Sequence, residues 1–368
     1  MPSLFDTIKL GAIEAPNRIF MAPLTRARAT REHVPTPIMA QYYAQRASAG
    51  LIISEATAIS QQGMGWPFAP GLWTTQQVEA WKPVTEAVHR AGGRIVAQLW
   101  HMGRLVHPDF LDGAPPVSAS ATTAPAYAHT HQGKKPNEAA RALNLTEIPG
   151  LIDDYVRAAR SARVAGFDGV QIHAANGYLI DQFLRDGTNF REDAYGGVIE
   201  NRIRLLGEVT KAVADAIGAD RTGVRLSPNG ERQGVNDTNP EALFAAAAAL
   251  LSDIGIAFLE VREPGFDGTF GKAERAPIAP LLRQAFKGPF VLNSDYRGET
   301  AQSALDEGRA DAISFGRTFL ANPDLPDRIA QKVPLNADDQ STWYSQGPAG
   351  YIDYPSSSGR RMAHPTAG

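Results

Sequence analysis

The chain has 368 residues, of which 43% are hydrophobic and 20% charged, with a formal net charge of −3. This length exceeds the usual single domain but is common for one βα barrel, and the charge supplies no long-range attraction for nucleic acid or an anionic membrane. The absence of cysteine excludes disulfides, thiolate zinc sites, cysteine-ligated iron–sulfur clusters and thiol nucleophiles. Residues 1–16 read as a cap segment. They lack a basic stretch followed by an unbroken apolar run, so no signal peptide is expected.

From there one unit recurs: an amphipathic helix, a glycine, a short apolar strand and a polar cluster. Strands are expected at Arg18–Ala22, Leu51–Glu55, Arg94–Gln98, Gly169–His173, Thr222–Leu226, Ala257–Val261, Phe290–Asn293 and Ala312–Phe315. Their apolar character suits a parallel sheet covered on both faces. Gly50, Gly93, Gly166, Gly218, Gly255 and Gly308 precede strands and are expected to stop helices in left-handed φ. Asn239 as N-cap, with Pro240 in the first turn, opens a helix that runs to Gly255. Eight such units suggest an α/β fold of the (βα)8 TIM-barrel type, one domain over 1–368, although a long open sheet shares the spacing.

Two segments leave the repeat. Met102–Leu145 is a Pro/Ala/Thr/His-rich excursion after strand three, too long for an ordinary βα loop and on the side where a lid would sit. The tail, 336–368, is polar but carries Trp343, Tyr344, Tyr351 and Tyr354, so it is expected to pack near the barrel mouth. The longest apolar runs, such as Leu243–Leu251, fall short of a membrane span, and the chain reads as cytoplasmic.

Residues just after the strands of a barrel converge on one mouth. Here they are Pro23-Leu24-Thr25-Arg26, Ala56-Thr57, Gln98 with Trp100 and His101, and His173 with Asn176 and Tyr178. Arg225, Arg262, Asn293-Ser294-Asp295 and Gly316-Arg317 complete the set. It lacks the paired acids of a glycosidase and the strand-end lysine of a Schiff-base aldolase. Ser294, Asp295, Gly316 and Arg317 follow strands seven and eight, the usual phosphate position of this fold. There a glycine admits close backbone approach and an arginine grips phosphate through two hydrogen bonds. His101, His107, His129 and His131 are irregularly spaced with no converging acids, so no metal site is expected. The charges of Arg185–Arg204 read as ion pairs. The Gly265, Gly268, Gly271 run lacks the strand–turn–helix context of a dinucleotide fingerprint and reads as a mobile loop near the mouth.

The stretch HAANGYLIDQFLRDGTNFREDAYGGVIENRIRLL (173–206) resembles the signature of the old yellow enzyme family of FMN-dependent ene-reductases. MAPLTR (21–26), AQLWHMGR (97–104), SFGRTFLANPDL (314–325), and WY (343–344) followed by GYIDYP (350–355) are similar to the same family in the same order. The resemblance implies FMN as cofactor and NADPH or NADH as hydride donor. It implies an FMN phosphate at Arg317, with backbone groups near Ser294, Asp295 and Gly316, a flavin ring across the barrel mouth, and Pro23, Leu24 and Ala56 among the cofactor-binding residues. Gln98 is then expected at the pyrimidine edge, and Thr25 at the flavin O4, which places the chain in the threonine-bearing branch. Arg225 is expected near N1 and O2, where a cation favours the reduced flavin. An ion pair with a neighbouring strand is the structural alternative for Arg225.

By the same resemblance His173 and Asn176 clamp the oxygen of an activated alkene, and Tyr178 delivers a proton to its α-carbon, suited by a phenol's ordinary pKa of about 10. Trp66, Trp100, Phe270, Trp343 and Tyr344 are candidates for the pocket wall. The implied partners are NAD(P)H and small activated alkenes, in a monomer or homodimer. Rival readings are a related flavin barrel acting on amines or dienoyl thioesters, or a flavin-binding protein without turnover.

Overall fold

A computed structural model describes residues 1–230, 233–273 and 275–357. The end of the expected tail, 358–368, lies outside the described residues. Eight parallel strands form the barrel: β1 (Ile19–Met21), β2 (Ile52–Ala58), β3 (Ile95–Trp100), β4 (Gly169–His173), β5 (Thr222–Leu226), β6 (Phe258–Arg262), β7 (Phe290–Asn293) and β8 (Ala312–Phe315). Each strand pairs with the next, and β8 returns to β1 through Phe315 opposite Met21. The closed (βα)8 barrel resolves the choice that spacing left open.

The principal helices between strands include α1 (Pro37–Ala44), α2 (Thr75–Arg90), α3 (Ile148–Val164), α4 (Arg204–Ile217), α5 (Pro240–Ile254) and α6 (Ala279–Ala285), followed by α7 (Gly298–Asp306) and α8 (Leu325–Gln331). Asn239 caps α5 by accepting from the Ala242 amide. The main core lies between these helices and the strands, for example Tyr155 and Leu151 of α3 with Ile172 and Leu99. A second core fills the lower barrel, where Phe20, Ile53, Val96 and Phe258 meet Leu10, Ile13 and Ala15 of an N-terminal hairpin. The cap segment is thus a plug at the end remote from the mouth.

The structure differs from expectation in detail. β2 and β3 continue past Glu55 and Gln98, because a bulge between Ile53 and Ala56 keeps the pair in register up to Ala58 opposite Trp100. Gly166, Gly218, Gly255 and Gly308 do adopt positive φ. At Gly50 the reason is different, since a Cβ there would lie 2.0 Å from the Asn17 carbonyl oxygen. The 185–204 segment forms the expected ion pairs, with Arg185 on Asp181 at 2.8 Å and Arg191 on Asp193 at 2.6 Å. In the 102–145 excursion a hairpin, Tyr127–Thr130 with Gly133–Pro136, rises beside the mouth. His129 stacks on Trp66 at 4.3 Å, and Lys135 pairs with Asp109 at 2.6 Å.

The tail is tied down by buried arginines. Arg26, read from sequence as a mouth residue, is fully buried and turns to the Trp343 and Gly350 carbonyls and the Tyr42 hydroxyl. Arg28 donates to carbonyls of Thr342, Trp343, Gly347 and Ala349, and its guanidinium lies 4.6 Å from the Tyr351 ring centre. Arg46 reaches the Leu320 carbonyl at 2.6 Å. Beside them Glu55 accepts from the Arg26 amide at 3.1 Å and from the Tyr43 hydroxyl at 3.3 Å. Burial pushes its carboxyl up to about 7, although these donors and the Arg26 charge pull the other way.

Removing Arg28 takes away the donor that the Gly347 and Ala349 carbonyls use and one of those at Thr342 and Trp343. Arg28→Met is expected to destabilise the protein by about 3 kcal/mol in urea denaturation and to expose the tail to proteolysis. An unchanged midpoint with an uncut tail would contradict this clasp. Glu55 adds a pH dependence. Its folded pKa, about 7, lies above the ordinary 4.5, so the native state binds the extra proton between those values. Its contribution to stability is complete below pH 4.5 and is lost as pH rises through 7. Glu55→Gln should remove roughly 3 kcal/mol of that pH-dependent change, read as a smaller drop in urea midpoint from pH 5 to pH 8. Identical drops in the two proteins would refute the assignment.

Candidate active site

Closure of the barrel brings all eight strand ends to one rim, where a cavity of about 580 Å³ opens. That is the size of a small-molecule site. Pro23, Leu24 and Thr25 line it from the segment after β1, and Ala56 from β2. Gln98, His173 and Arg225 line its deepest part from β3, β4 and β5, and all three are buried. Ser294, Asp295, Gly316 and Arg317 line it after β7 and β8, and Asn176, Tyr178, Trp66, Phe270 and Tyr344 complete the outer part. Trp100 is the exception. Its ring is buried and stands edge-on behind Tyr178, centroids 5.1 Å apart, and it does not reach the cavity.

His173 accepts a hydrogen bond at Nδ1 from the Ala175 amide at 3.3 Å. Burial, with the Arg225 charge adding to it, holds its pKa well below the ordinary imidazole range. The ring is therefore neutral at physiological pH, and with Nδ1 accepting, the proton sits on Nε2. Tyr178 stands edge-on to this imidazole at 4.8 Å. Between them Asn176 has φ +58°, a left-handed conformation that asparagine tolerates better than most side chains. Its amide donates to Ser227 Oγ at 2.7 Å, and the next amide, Gly177, donates to Asp181 at 2.8 Å. Arg262 Nη1 faces Asn176 Oδ1 at 3.5 Å, so the Asn176 NH2 is the end left for a ligand. The His-x-x-Asn-x-Tyr segment thus gathers two neutral donors and a phenol at one cavity.

Arg225 makes the expected alternative contact as well as lining the cavity. It pairs with Glu260 of the neighbouring β6 at 3.5 Å and donates to Asn293 at 2.6 Å. At the other end Gly316 precedes a short helix, Arg317–Ala321. Arg317 is about one-third exposed and pairs with Asp295 at 2.8 Å. Burial opposes the Asp295 charge, but donors from Thr269 and Arg317 hold its carboxyl below the ordinary value. Thr269 belongs to the glycine-rich loop, and its amide donates to Asp295 at 2.9 Å. Arg262 also donates to the Phe270 carbonyl, so two arginines flank that loop.

Sequence reasoning missed part of the wall. Tyr127, Ala128 and His129 line the cavity from the hairpin. The signal was present in the alternation Tyr-Ala-His-Thr ahead of Gln132-Gly133, but the segment reads as irregular beside the barrel repeat. Trp66 packs between His129 and Tyr344, and Trp343 stands edge-on to Phe270 at 6.1 Å. Among the described residues no group of three or more His, Asp or Glu side chains could hold a metal ion, and no helix is long and apolar enough to cross a membrane.

Residues 3–336 match the NADH:flavin oxidoreductase / NADH oxidase family. The chain is 41% identical over 357 residues to 12-oxophytodienoate reductase 2 of Arabidopsis thaliana, covering 96% of this chain and 95% of that one. Its fold superposes on the old yellow enzyme homologue from Zymomonas mobilis with a TM-score of 0.95 at 64% identity, covering 96% and 99% of the two chains. Morphinone reductase in complex with tetrahydroNAD gives a TM-score of 0.91 at 45% identity, with 97% and 98% covered. The chain belongs to the NADH:flavin oxidoreductase / NADH oxidase family, and is an oxidoreductase of the old yellow enzyme kind that uses FMN and a nicotinamide.

Proposed function

We propose that this protein reduces activated alkenes (enones, enals, maleimides and nitroalkenes) with electrons from NADPH or NADH, and that Tyr178 protonates the acceptor's α-carbon. The observation that carries the reading is that His173, which accepts the Ala175 amide at Nδ1 and so turns Nε2 outward, shares one cavity with Asn176 and Tyr178. The relatives' names, reductases of an oxophytodienoate and of morphinone, support an acceptor that carries an oxo group. The tetrahydroNAD complex of morphinone reductase supports a nicotinamide as the electron source. The aromatic part of the wall, Trp66, Phe270 and Tyr344, suits small acceptors.

The donor set of the cavity fits FMN. Arg317 beside Gly316 suits a phosphate. Gln98 uses its NH2 on Gln171 at 2.8 Å, which leaves Oε1 to accept from an imide N–H such as that of a flavin. Thr25 and the backbone of Pro23, Leu24, Ser294 and Asp295 border the same space as Ala56. The chemistry supplied by bound FMN is hydride transfer from the nicotinamide to the acceptor.

The chain's own residues do the rest. His173 Nε2–H and the Asn176 NH2 donate to the acceptor's carbonyl or nitro oxygen, withdrawing electron density from the β-carbon. The same bonds strengthen as enolate character develops. Neutral donors suit this role because no proton has to be removed. Tyr178, backed by Trp100 and His173, holds its phenolic proton toward the α-carbon. Trp66, Phe270, Trp343 and Tyr344 exclude water and select acceptor shape.

Tyr178→Phe should slow reoxidation by 2-cyclohexenone about 100-fold, while anaerobic reduction by NADPH, followed by bleaching of the flavin absorbance, keeps most of its rate. An equal loss in both half-reactions would remove the proton-donor role. A phenol imitates the enolate, so His173→Ala combined with Asn176→Ala is expected to weaken binding of a para-substituted phenol at least about 100-fold, the loss of two hydrogen bonds to a charged oxygen. Undiminished phenol affinity in a spectral titration would sink the clamp.

A further inference from the structure

Below the cavity the barrel interior holds a second polar layer that the reaction just described does not use. Glu260 of β6 and Gln171 of β4 are both fully buried, as is Ser314 of β8. Gln171 Nε2 donates to Glu260 Oε2 at 2.8 Å, and Ser314 Oγ donates to Glu260 Oε1. Arg225 Nε lies 3.5 Å from Glu260 Oε2, directly across the strand pair, since Arg225 and Glu260 are register partners. Gln98 and Gln171 are likewise register partners, and Gln98 Nε2 donates to Gln171 Oε1 at 2.8 Å.

The direction of this relay follows from one end. Glu260 accepts on both oxygens, so Gln171 must turn its NH2 to Glu260 and its oxygen to Gln98. Gln98 must then spend its NH2 on Gln171, and its own oxygen is the group left for the cavity. With a neutral amide in place of the carboxylate, either end of Gln171 could face either neighbour, and the sense of Gln98 would no longer be dictated. Glu260 also sets a negative charge beside Arg225 in a low-dielectric interior, where such a charge acts strongly on its surroundings.

We propose that Glu260 is a positioning residue for the cofactor. Through Gln171 it fixes which end of the Gln98 amide meets the flavin. By offsetting the Arg225 charge it keeps the reduction potential below the value that Arg225 alone would produce. The inference rests on the reading of Gln98 and Arg225 as FMN contacts. Reduction places negative charge on the flavin, so a nearby cation favours the reduced form and a nearby carboxylate opposes it.

The test is a pair of variants in the flavin-loaded protein, with the midpoint potential measured against a reference dye under anaerobic conditions and the FMN dissociation constant measured by fluorescence. Glu260→Gln keeps size and shape but removes the charge. It should raise the ratio of reduced to oxidised flavin at a fixed potential about tenfold, equivalent to about 30 mV for a two-electron couple. A merely structural role would not move the potential in that direction. Glu260→Gln that holds FMN at an unchanged or lower potential overturns the proposal. Gln171→Met leaves the Glu260–Arg225 pair in place and cuts the relay. It should raise the FMN dissociation constant about tenfold, with a smaller change in potential than Glu260→Gln. If Glu260→Gln does not fold, Gln171→Met decides alone, and wild-type FMN affinity in that variant overturns the relay. Failure of the wild-type protein to bind FMN would instead bring down the functional reading beneath it, a result distinct from either variant outcome.

Discussion

Everything in this molecule depends on the strand pairing that closes the barrel between β8 and β1. Closure leaves no sheet edge, so each strand's hydrogen bonds are satisfied by two neighbours and every strand ends on a common rim. His173 from β4, Arg225 from β5 and Gln98 from β3 meet for that reason, although they are far apart in the chain. The plug hairpin fills the lower end with Leu10, Ile13 and Ala15, and the cavity opens at the other.

The site is built from neutral donors more than from charge. His173 sits close to a guanidinium in a buried position, and both facts disfavour a proton on its second nitrogen. What the fold supplies is a tautomer set by the Ala175 amide, a side-chain amide sense at Asn176 set by Arg262, and an Asn176 backbone held by Ser227. Both side chains are thereby oriented in the free protein, the condition that electrostatic preorganisation requires. The two charged ends of the cavity, Arg225 and Arg317, are each balanced by a carboxylate.

Much of this was legible in the sequence because strands and their ends follow a short-range rule. The apolar runs located all eight strands, and the residues just beyond them, such as His173, Arg225 and Arg317, could be placed at one mouth without any knowledge of contacts. Trp100, expected in the pocket wall, stands edge-on behind Tyr178, because β3 runs two residues past its expected end at Gln98. Arg26 was misread for a different reason: its direction is decided by tail carbonyls more than 300 residues away. Glu260 and Gln171 gave no signal at all. Their meaning lies in a partnership across 89 positions that only the closed sheet creates.

The arginine clasp on the tail has a consequence for how the protein is made. Trp343 and Tyr344, which line the cavity, are held through carbonyls that Arg26 and Arg28 satisfy. Those arginines leave the ribosome more than 300 residues ahead of their partners. Until then the nascent chain can form strands and helices, but it carries guanidinium groups with no carbonyls to receive them and a pocket with one side missing. The cavity can therefore close only after Trp343 and Tyr344 have emerged, and a chain that stops short of them has a mouth without that wall.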